Sequence, residues 1–185
     1  SPEQLQQLAA HTVKEQFQVV GAAARGCDLI LGAGVLQIAA RSIAEMLGVP
    51  YVFAAYAPVS LPSTDHPPPK VIGPHHSQSL PARDNQDLWL AEEQSWNDRF
   101  GTTLNEERAK VGLAPVDNVY RHILTDRPWL AADPVIGPAP QTPDLHIVHT
   151  GAWLLADSSA LPEALERFLV DGEPPVYLGF GSMRA

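Results

Sequence analysis

Asp28-Leu29-Ile30-Leu31-Gly32-Ala33-Gly34 and Tyr51-Val52-Phe53-Ala54-Ala55-Tyr56, with Val35 to Leu47 between them, decide the fold of this chain. Each flank is a short apolar run of strand length. The middle puts Leu36, Ala39, Ala40, Ile43 and Leu47 on one side of a helix, and Gly48-Val49-Pro50 stops it. Strand, helix and strand with short joins make a βαβ unit, whose strands lie parallel with a right-handed crossover. The expected class is α/β. In such sheets ligands sit beyond the carboxyl ends of the strands, so Gly32 to Gly34 and the residues after Tyr56 form the expected functional rim. Gly32-x-Gly34 is not a dinucleotide fingerprint: Gln37 stands where the third glycine belongs, and Tyr51 to Tyr56 carries no carboxylate. Small residues that let a helix pack close to a strand are the simpler reading.

Towards the amino end, Ser1-Pro2-Glu3-Gln4 reads as a capped helix start, and Leu5, Leu8, Val13, Phe17 and Val20 recur at helical spacing up to Gly26. His11 is read as a surface or boundary residue. Towards the carboxyl end, Ala57 to Arg83 is a Pro-, Ser- and His-rich loop, with Pro58, Pro67-Pro68-Pro69, His66 and His75-His76. A loop of that length leaving a strand's carboxyl end is expected to act as a mobile cover over a ligand cleft. His75-His76 is not a metal signal, because no Cys, Asp or Glu stands at ligand spacing.

Asp84 to Phe100 returns to helical texture, Gly101 interrupts it, and Thr102 to Val111 resumes. Trp89 and Trp96 lie two turns apart and so share a face, either as core residues or as an aromatic wall of the cleft. Glu92-Glu93 diverge by about 100° on a helix and are expected to be solvated charges. Thr125 to Pro134 and His146 to His149 each hold a further short strand. A helix beginning at Leu161-Pro162-Glu163 follows, and then Val176-Tyr177-Leu178, read as a buried strand opening into Gly179-Phe180-Gly181-Ser182. A strand that ends in Gly-x-Gly-Ser frees backbone N–H groups for an anion such as phosphate.

Composition narrows the partners. The 185 residues carry a net charge of -9, which disfavours nucleic acid and anionic membranes, and no apolar run reaches the length of a membrane span. No basic-then-apolar leader stands at Ser1, and the lone Cys27 has no internal disulfide partner. A cytoplasmic location is expected.

Five segments then carry a resemblance: Cys27-Asp28-Leu29-Ile30; Arg41-Ser42-Ile43-Ala44-Glu45-Met46-Leu47-Gly48-Val49-Pro50-Tyr51; Thr125-Asp126-Arg127-Pro128-Trp129-Leu130-Ala131-Ala132-Asp133-Pro134; Thr150-Gly151-Ala152-Trp153; and Pro175-Val176-Tyr177-Leu178-Gly179-Phe180-Gly181-Ser182. In this order they resemble the glycosyltransferases that decorate vancomycin-type glycopeptide aglycones, along nearly the whole chain. That family pairs two Rossmann-like domains, the first holding the acceptor and the second the nucleotide sugar.

The resemblance implies a partial Rossmann-like parallel sheet with flanking helices. Residues 1–156 would be the later half of the acceptor domain, 157–173 the linker and its helix, and 174–185 the first strand and loop of the nucleotide-sugar domain. It implies transfer of glucose or a deoxysugar from a UDP- or TDP-sugar to an aglycone hydroxyl, with inversion and without a metal or other cofactor. Gly181 and Ser182 would contact the donor phosphate, and Gly34, Tyr56, Pro58, His66, Pro68 and Trp96 the acceptor. The general base is implied upstream of Ser1. No carboxylate stands near Ala33, where some relatives orient a catalytic His, which favours the branch whose base is itself a carboxylate. The chain alone is expected to be inactive. A non-catalytic acceptor-binding module and an unrelated flavodoxin-like domain are the competing readings.

Overall fold

The computed structural model describes residues 2–69 and 84–179. It separates into two compact units, Ser1–Trp153 and Leu154–Ala185.

The first unit is α/β. Helix α1 (Pro2–Ala23) precedes strand β1 (Ile30–Ala33), α2 (Ala40–Leu47) and β2 (Tyr51–Ala55). Then come α3 (Asn85–Trp96), α4 (Thr102–Lys110), α5 (Val119–Leu124), β3 (Trp129–Leu130) and β4 (Val148–His149). The strands form one sheet in the order β1-β2-β3-β4, and every neighbouring pair is parallel. The βαβ reading holds: Ile30 pairs with Tyr51 and Ala33 with Ala54. Gly48 closes α2 with φ 69°, its N–H reaching the carbonyls of Ala44 and Glu45. A left-handed C-cap of this kind is what a glycine at that position supplies.

Strand alternation sorts the sheet into two faces. Ile30, Tyr51, Phe53, Ala55 and Leu130 enter the hydrophobic cores with side chains of α1 to α5, including Val13, Ile43, Trp89, Leu104 and Ile123. Leu31, Val52, Ala54, Trp129 and Val148 share the opposite face by register, and Leu31 remains 45% exposed. Tyr51 lies over Gly32: a Cβ on that glycine would fall 2.9 Å from Cε2 of the ring. The tyrosine hydroxyl is buried without a hydrogen-bond partner among the described residues, and burial holds it well above the usual range. Gly32 is thus a packing glycine, but what lies against it is the Tyr51 ring of the neighbouring strand and not the helix that was expected there.

Four expectations are corrected. Helix α2 starts at Ala40, five residues later than the periodicity from Val35 suggests, and Leu36 faces solvent. Gln16 of α1 explains the delay. Its amide donates to the Leu36 carbonyl at 2.8 Å and accepts the Ala39 N–H at 2.9 Å, so a distant side chain satisfies backbone groups that an earlier helical turn would have used. Leu5 and Leu8 are exposed, and Ala9 is the first described residue of α1 in the core. Glu93 is not a solvated charge. It is 5% exposed, accepting from Arg121 Nε at 2.6 Å and Asn118 Nδ2 at 2.7 Å, while the neighbouring Glu92 accepts the Trp96 indole N–H at 2.8 Å. Helical divergence does separate the two carboxylates, but the sequence spacing could not reveal that Arg121 stands opposite Glu93.

The fourth correction lies in the second unit. Its helix α6 (Glu163–Val170) forms as expected behind Pro162. Val176 to Leu178, read as a buried strand, makes no ladder and is 86–87% exposed. An apolar run becomes a strand only when a neighbouring strand takes its N–H and C=O groups, and none among the described residues does so. The Ser1 cap falls outside the described residues, as do His75, His76, Gly181 and Ser182.

Candidate functional site

The carboxyl ends of the four parallel strands in the first unit lead into segments from four separate parts of the chain. Strand β1 delivers Ala33 and Gly34, the latter at φ 81°, a left-handed conformation suited to glycine. Strand β2 delivers Tyr56 and then Pro58, the first residue of a 3-10 turn through Ser60. That turn is anchored to the helical layer, because Tyr120 Oη donates to the Ser60 carbonyl at 2.9 Å.

The loop leaving β3 is held in shape by its own carboxylate. Asp133 Oδ1 accepts the backbone N–H of Val135 at 2.8 Å and of Ile136 at 3.1 Å, and the Asp133 carbonyl accepts Gly137 N–H at 2.8 Å. An aspartate whose side chain turns back on the next backbone groups is a common local solution for a tight loop. The consequence here is unusual for apolar residues: Val135 and Ile136 are each 88% exposed. Gly137 meets Pro58, so the loops from β2 and β3 touch at the rim. Beneath them His149 Nε2 sits 2.8 Å from the Ala132 carbonyl, which requires the Nε2–H tautomer.

Strand β4 delivers Thr150 to Trp153. The Trp153 indole N–H donates to Thr150 Oγ1 at 3.0 Å, and its ring stands edge-on to both Tyr56, at 6.0 Å, and Trp129, at 6.2 Å. Such edge-to-face pairs favour ordered over floppy aromatic side chains. The rim therefore combines a fixed aromatic group with a fixed aliphatic tip. None of the rim segments 33–40, 56–69, 131–143 and 150–153 contains a Lys or Arg.

Of the residues expected to contact an acceptor, Gly34, Tyr56 and Pro58 lie on this rim. His66 and Pro68 lie further along the loop, where the His66 carbonyl accepts Trp89 Nε1–H at 2.9 Å and the two rings meet edge-on at 6.0 Å. The loop is pinned there by Thr64 N–H on the Gln141 carbonyl, Gln141 N–H on Asp65 Oδ2, and Asn85 Nδ2 on the Thr64 carbonyl. Beside it opens a cavity of about 220 Å³ walled by Pro62, Ser63, Trp89, Leu90, Arg121 and Pro143, among others. Trp96 does not reach the rim. It is 5% exposed and packed between Phe100 and Tyr120, so the core reading applies to Trp96, whereas Trp89 is buried and also walls the cavity. Sequence reasoning passed over Val135, Ile136 and Trp153 as rim residues. The one local signal was Asp133-Pro134 directly after an apolar strand.

A second polar constellation lies inside the helical layer. Ser42 Oγ is 3.0 Å from His122 Nε2, and Arg108 Nη1 donates to Ser42 Oγ and to Glu45 Oε2, both at 2.7 Å. Arg41 Nη1 donates to the His122 carbonyl at 3.0 Å. Burial, reinforced by Arg41 and Arg108 against the opposing Glu45, pushes the His122 imidazole down to about 4. The neutral ring accepts the Ser42 hydroxyl, and the cluster ties α2, α4 and α5 together. A serine–histidine contact can mark a nucleophile, but Ser42 is wholly buried and has no approach for a substrate. Among the described residues no group of three or more His, Cys, Asp or Glu is placed to hold a metal, and no helix is long and apolar enough to cross a membrane.

No protein-family model matches the chain. Curated proteins do. The chain is 48% identical over 98% of its length to glycosyltransferase GtfC of Amycolatopsis orientalis. It is 43% identical over 99% to glycosyltransferase GtfE, and 40% identical over 99% to the vancomycin aglycone glucosyltransferase, both of the same organism. In each case the matched stretch makes up 44% of the relative, so the chain spans less than half the length of the proteins it matches.

Proposed function

We propose, on the premise that this chain belongs to the glycopeptide glycosyltransferases over the residues it shares with them, that it forms the acceptor-binding side of a sugar-transferring enzyme of antibiotic biosynthesis. The observation that carries the reading is identity of 40–48% sustained over 98–99% of the chain. The rim supports it. An aromatic natural-product aglycone needs apolar walls with few polar anchors, and Tyr56, Pro58 and Trp153 supply such walls from described rim segments that hold no Lys or Arg.

The chemistry proposed is attack by an acceptor hydroxyl on the anomeric carbon of a UDP- or TDP-sugar, from the face opposite the nucleoside diphosphate, with inversion. A carboxylate base takes the hydroxyl proton, and hydrogen-bond donors stabilise the charge growing on the departing diphosphate. Gly181 and Ser182 belong to that second group by the resemblance of their motif, through backbone N–H and hydroxyl. The base and the rest of the donor site are assigned to the part of the enzyme outside the matched stretch. The role of the chain is to present and orient the acceptor, which is where proximity lowers the barrier. No metal is required by this scheme, and the reaction is assigned to the cytoplasm.

Two assays on the 185-residue chain test the reading. Incubation with UDP- or TDP-glucose and vancomycin aglycone is expected to give no glucosylated product; turnover would show that base and donor site lie within the chain. Calorimetric titration with the aglycone is expected to show saturable binding, whereas its absence would remove the acceptor assignment.

A further inference from the structure

We infer that Val135 and Ile136 are the specificity-determining residues of the rim, a preformed aliphatic tip that packs against an apolar or aromatic face of the acceptor. The inference rests on the acceptor reading above and adds to it residues that neither spacing nor resemblance singled out. Two adjacent aliphatic side chains, each 88% exposed, ordinarily mark either an untidy loop or a contact surface. This loop is not untidy. Both N–H groups of the tip are held by Asp133 Oδ1, Gly137 N–H is held by the Asp133 carbonyl, and Gly137 is fitted against Pro58 and Ala132. The tip therefore keeps its shape before any ligand arrives, which lowers the entropy cost of using it in binding.

Charge selects the kind of ligand. A nucleoside diphosphate calls for hydrogen-bond donors or cations, yet both N–H groups of the tip are already held by Asp133 Oδ1, and the described segments 33–40, 56–69, 131–143 and 150–153 hold no Lys or Arg. The charge nearest the tip is the Asp133 carboxylate, which repels phosphate. A neutral or cationic molecule with an apolar face fits the tip, and a sugar nucleotide does not. Gly137, the residue after the tip, abuts Pro58, which stands two residues after Tyr56, so the tip and Tyr56 belong to loops that meet on the rim.

The test uses the 185-residue chain and vancomycin aglycone as the probe, with calorimetric titration of the wild type, the double variant Val135→Asn/Ile136→Asn, and Ile136→Ala. A control, Val19→Asn, alters an equally apolar exposed residue on α1. Circular dichroism checks that each remains folded, and the milder Ile136→Ala serves if the double variant does not. Loss of the apolar contact is expected to weaken binding about tenfold or more in the double variant and to leave the control unchanged. Wild-type binding with an unaltered double variant overturns this inference alone. A wild type that binds no aglycone overturns the acceptor reading, and this inference with it.

Discussion

Gly137 lies against Pro58: a Cβ added to the glycine would stand 3.3 Å from the proline Cδ, and 3.1 Å from the Cβ of Ala132. The loops leaving β2 and β3 thus meet at a position with no room for a side chain. Gly137 does not adopt a positive φ, so space and not backbone conformation is the constraint. Gly137→Val is expected to push the Pro58 turn away and destabilise the chain by about 1–3 kcal/mol, as overpacking does. Urea unfolding checks it. Stability equal to wild type would mean that the two loops part without cost.

The Ser42–His122–Arg108 cluster predicts a pH dependence. The folded imidazole is held down to about 4, whereas an unfolded histidine titrates at about 6.5. Between those values the unfolded chain binds more protons, so the stabilisation is complete above about pH 6.5 and drains away as the pH falls towards 4. The full loss is on the order of 3 kcal/mol, an upper value for a group with three charged neighbours. Denaturation at pH 7, 5.5 and 4.5 should show the decline. His122→Gln should flatten it, and a parallel slope in that variant would assign the effect to other groups.

Glu93 and Arg121 predict an asymmetry between variants. The carboxylate is nearly buried and the guanidinium is about a third exposed, with Asp144 3.7 Å away as a second partner. Glu93→Ala strands Arg121 and Asn118 beside an emptied site and should cost about 3 kcal/mol, the lower end for breaking a buried pair. Asp144→Ala, at an exposed position, should cost less than about 1 kcal/mol. Equal losses would contradict this ordering.

The sheet face carrying Leu31, Val52, Trp129 and Val148 predicts association. Parallel sheets are ordinarily covered on both faces, and here Leu31 is 45% exposed on one of them. The isolated chain is expected to bind a hydrophobic dye and to self-associate in sedimentation velocity, and Leu31→Thr with Val52→Thr should reduce both. A monodisperse monomer of high melting temperature would count against this picture.

Much of the fold was legible because its signals are local. The run Asp28 to Leu31, the helix ending at Gly48, and the strand from Tyr51 are set by periodicity and cap chemistry within a few residues, and the parallel pairing follows from their order. Thr102 to Lys110 resumes a helix where Gly101 was expected to interrupt, although the structure bridges Asn97–Gly101 with a π-helical turn in place of a break. The rim was half legible as a place in the fold. Gly34, Tyr56 and Pro58 stand at or just beyond the carboxyl ends of β1 and β2, where the rule for such sheets puts them, while the exposure of Val135 and Ile136 is not encoded in their own composition.

The sequence by itself determined the α/β class, the βαβ unit, the absence of a dinucleotide fingerprint and the resemblance to glycopeptide glycosyltransferases, all properties of segments shorter than a single turn of the topology or of their order. Only the tertiary structure decided that Gln16 delays α2, that Glu93 is buried against Arg121, that Trp96 belongs to the core, and that Val176 to Leu178 makes no strand. The reason is common to all four. Each depends on which groups arrive from far along the chain to satisfy a carbonyl, a charge, a ring or a strand edge. Glu93 and Arg121 are 28 residues apart, and Gln16 and Ala39 are 23 apart. Periodicity reports which side of an element is apolar; it does not report what will stand opposite.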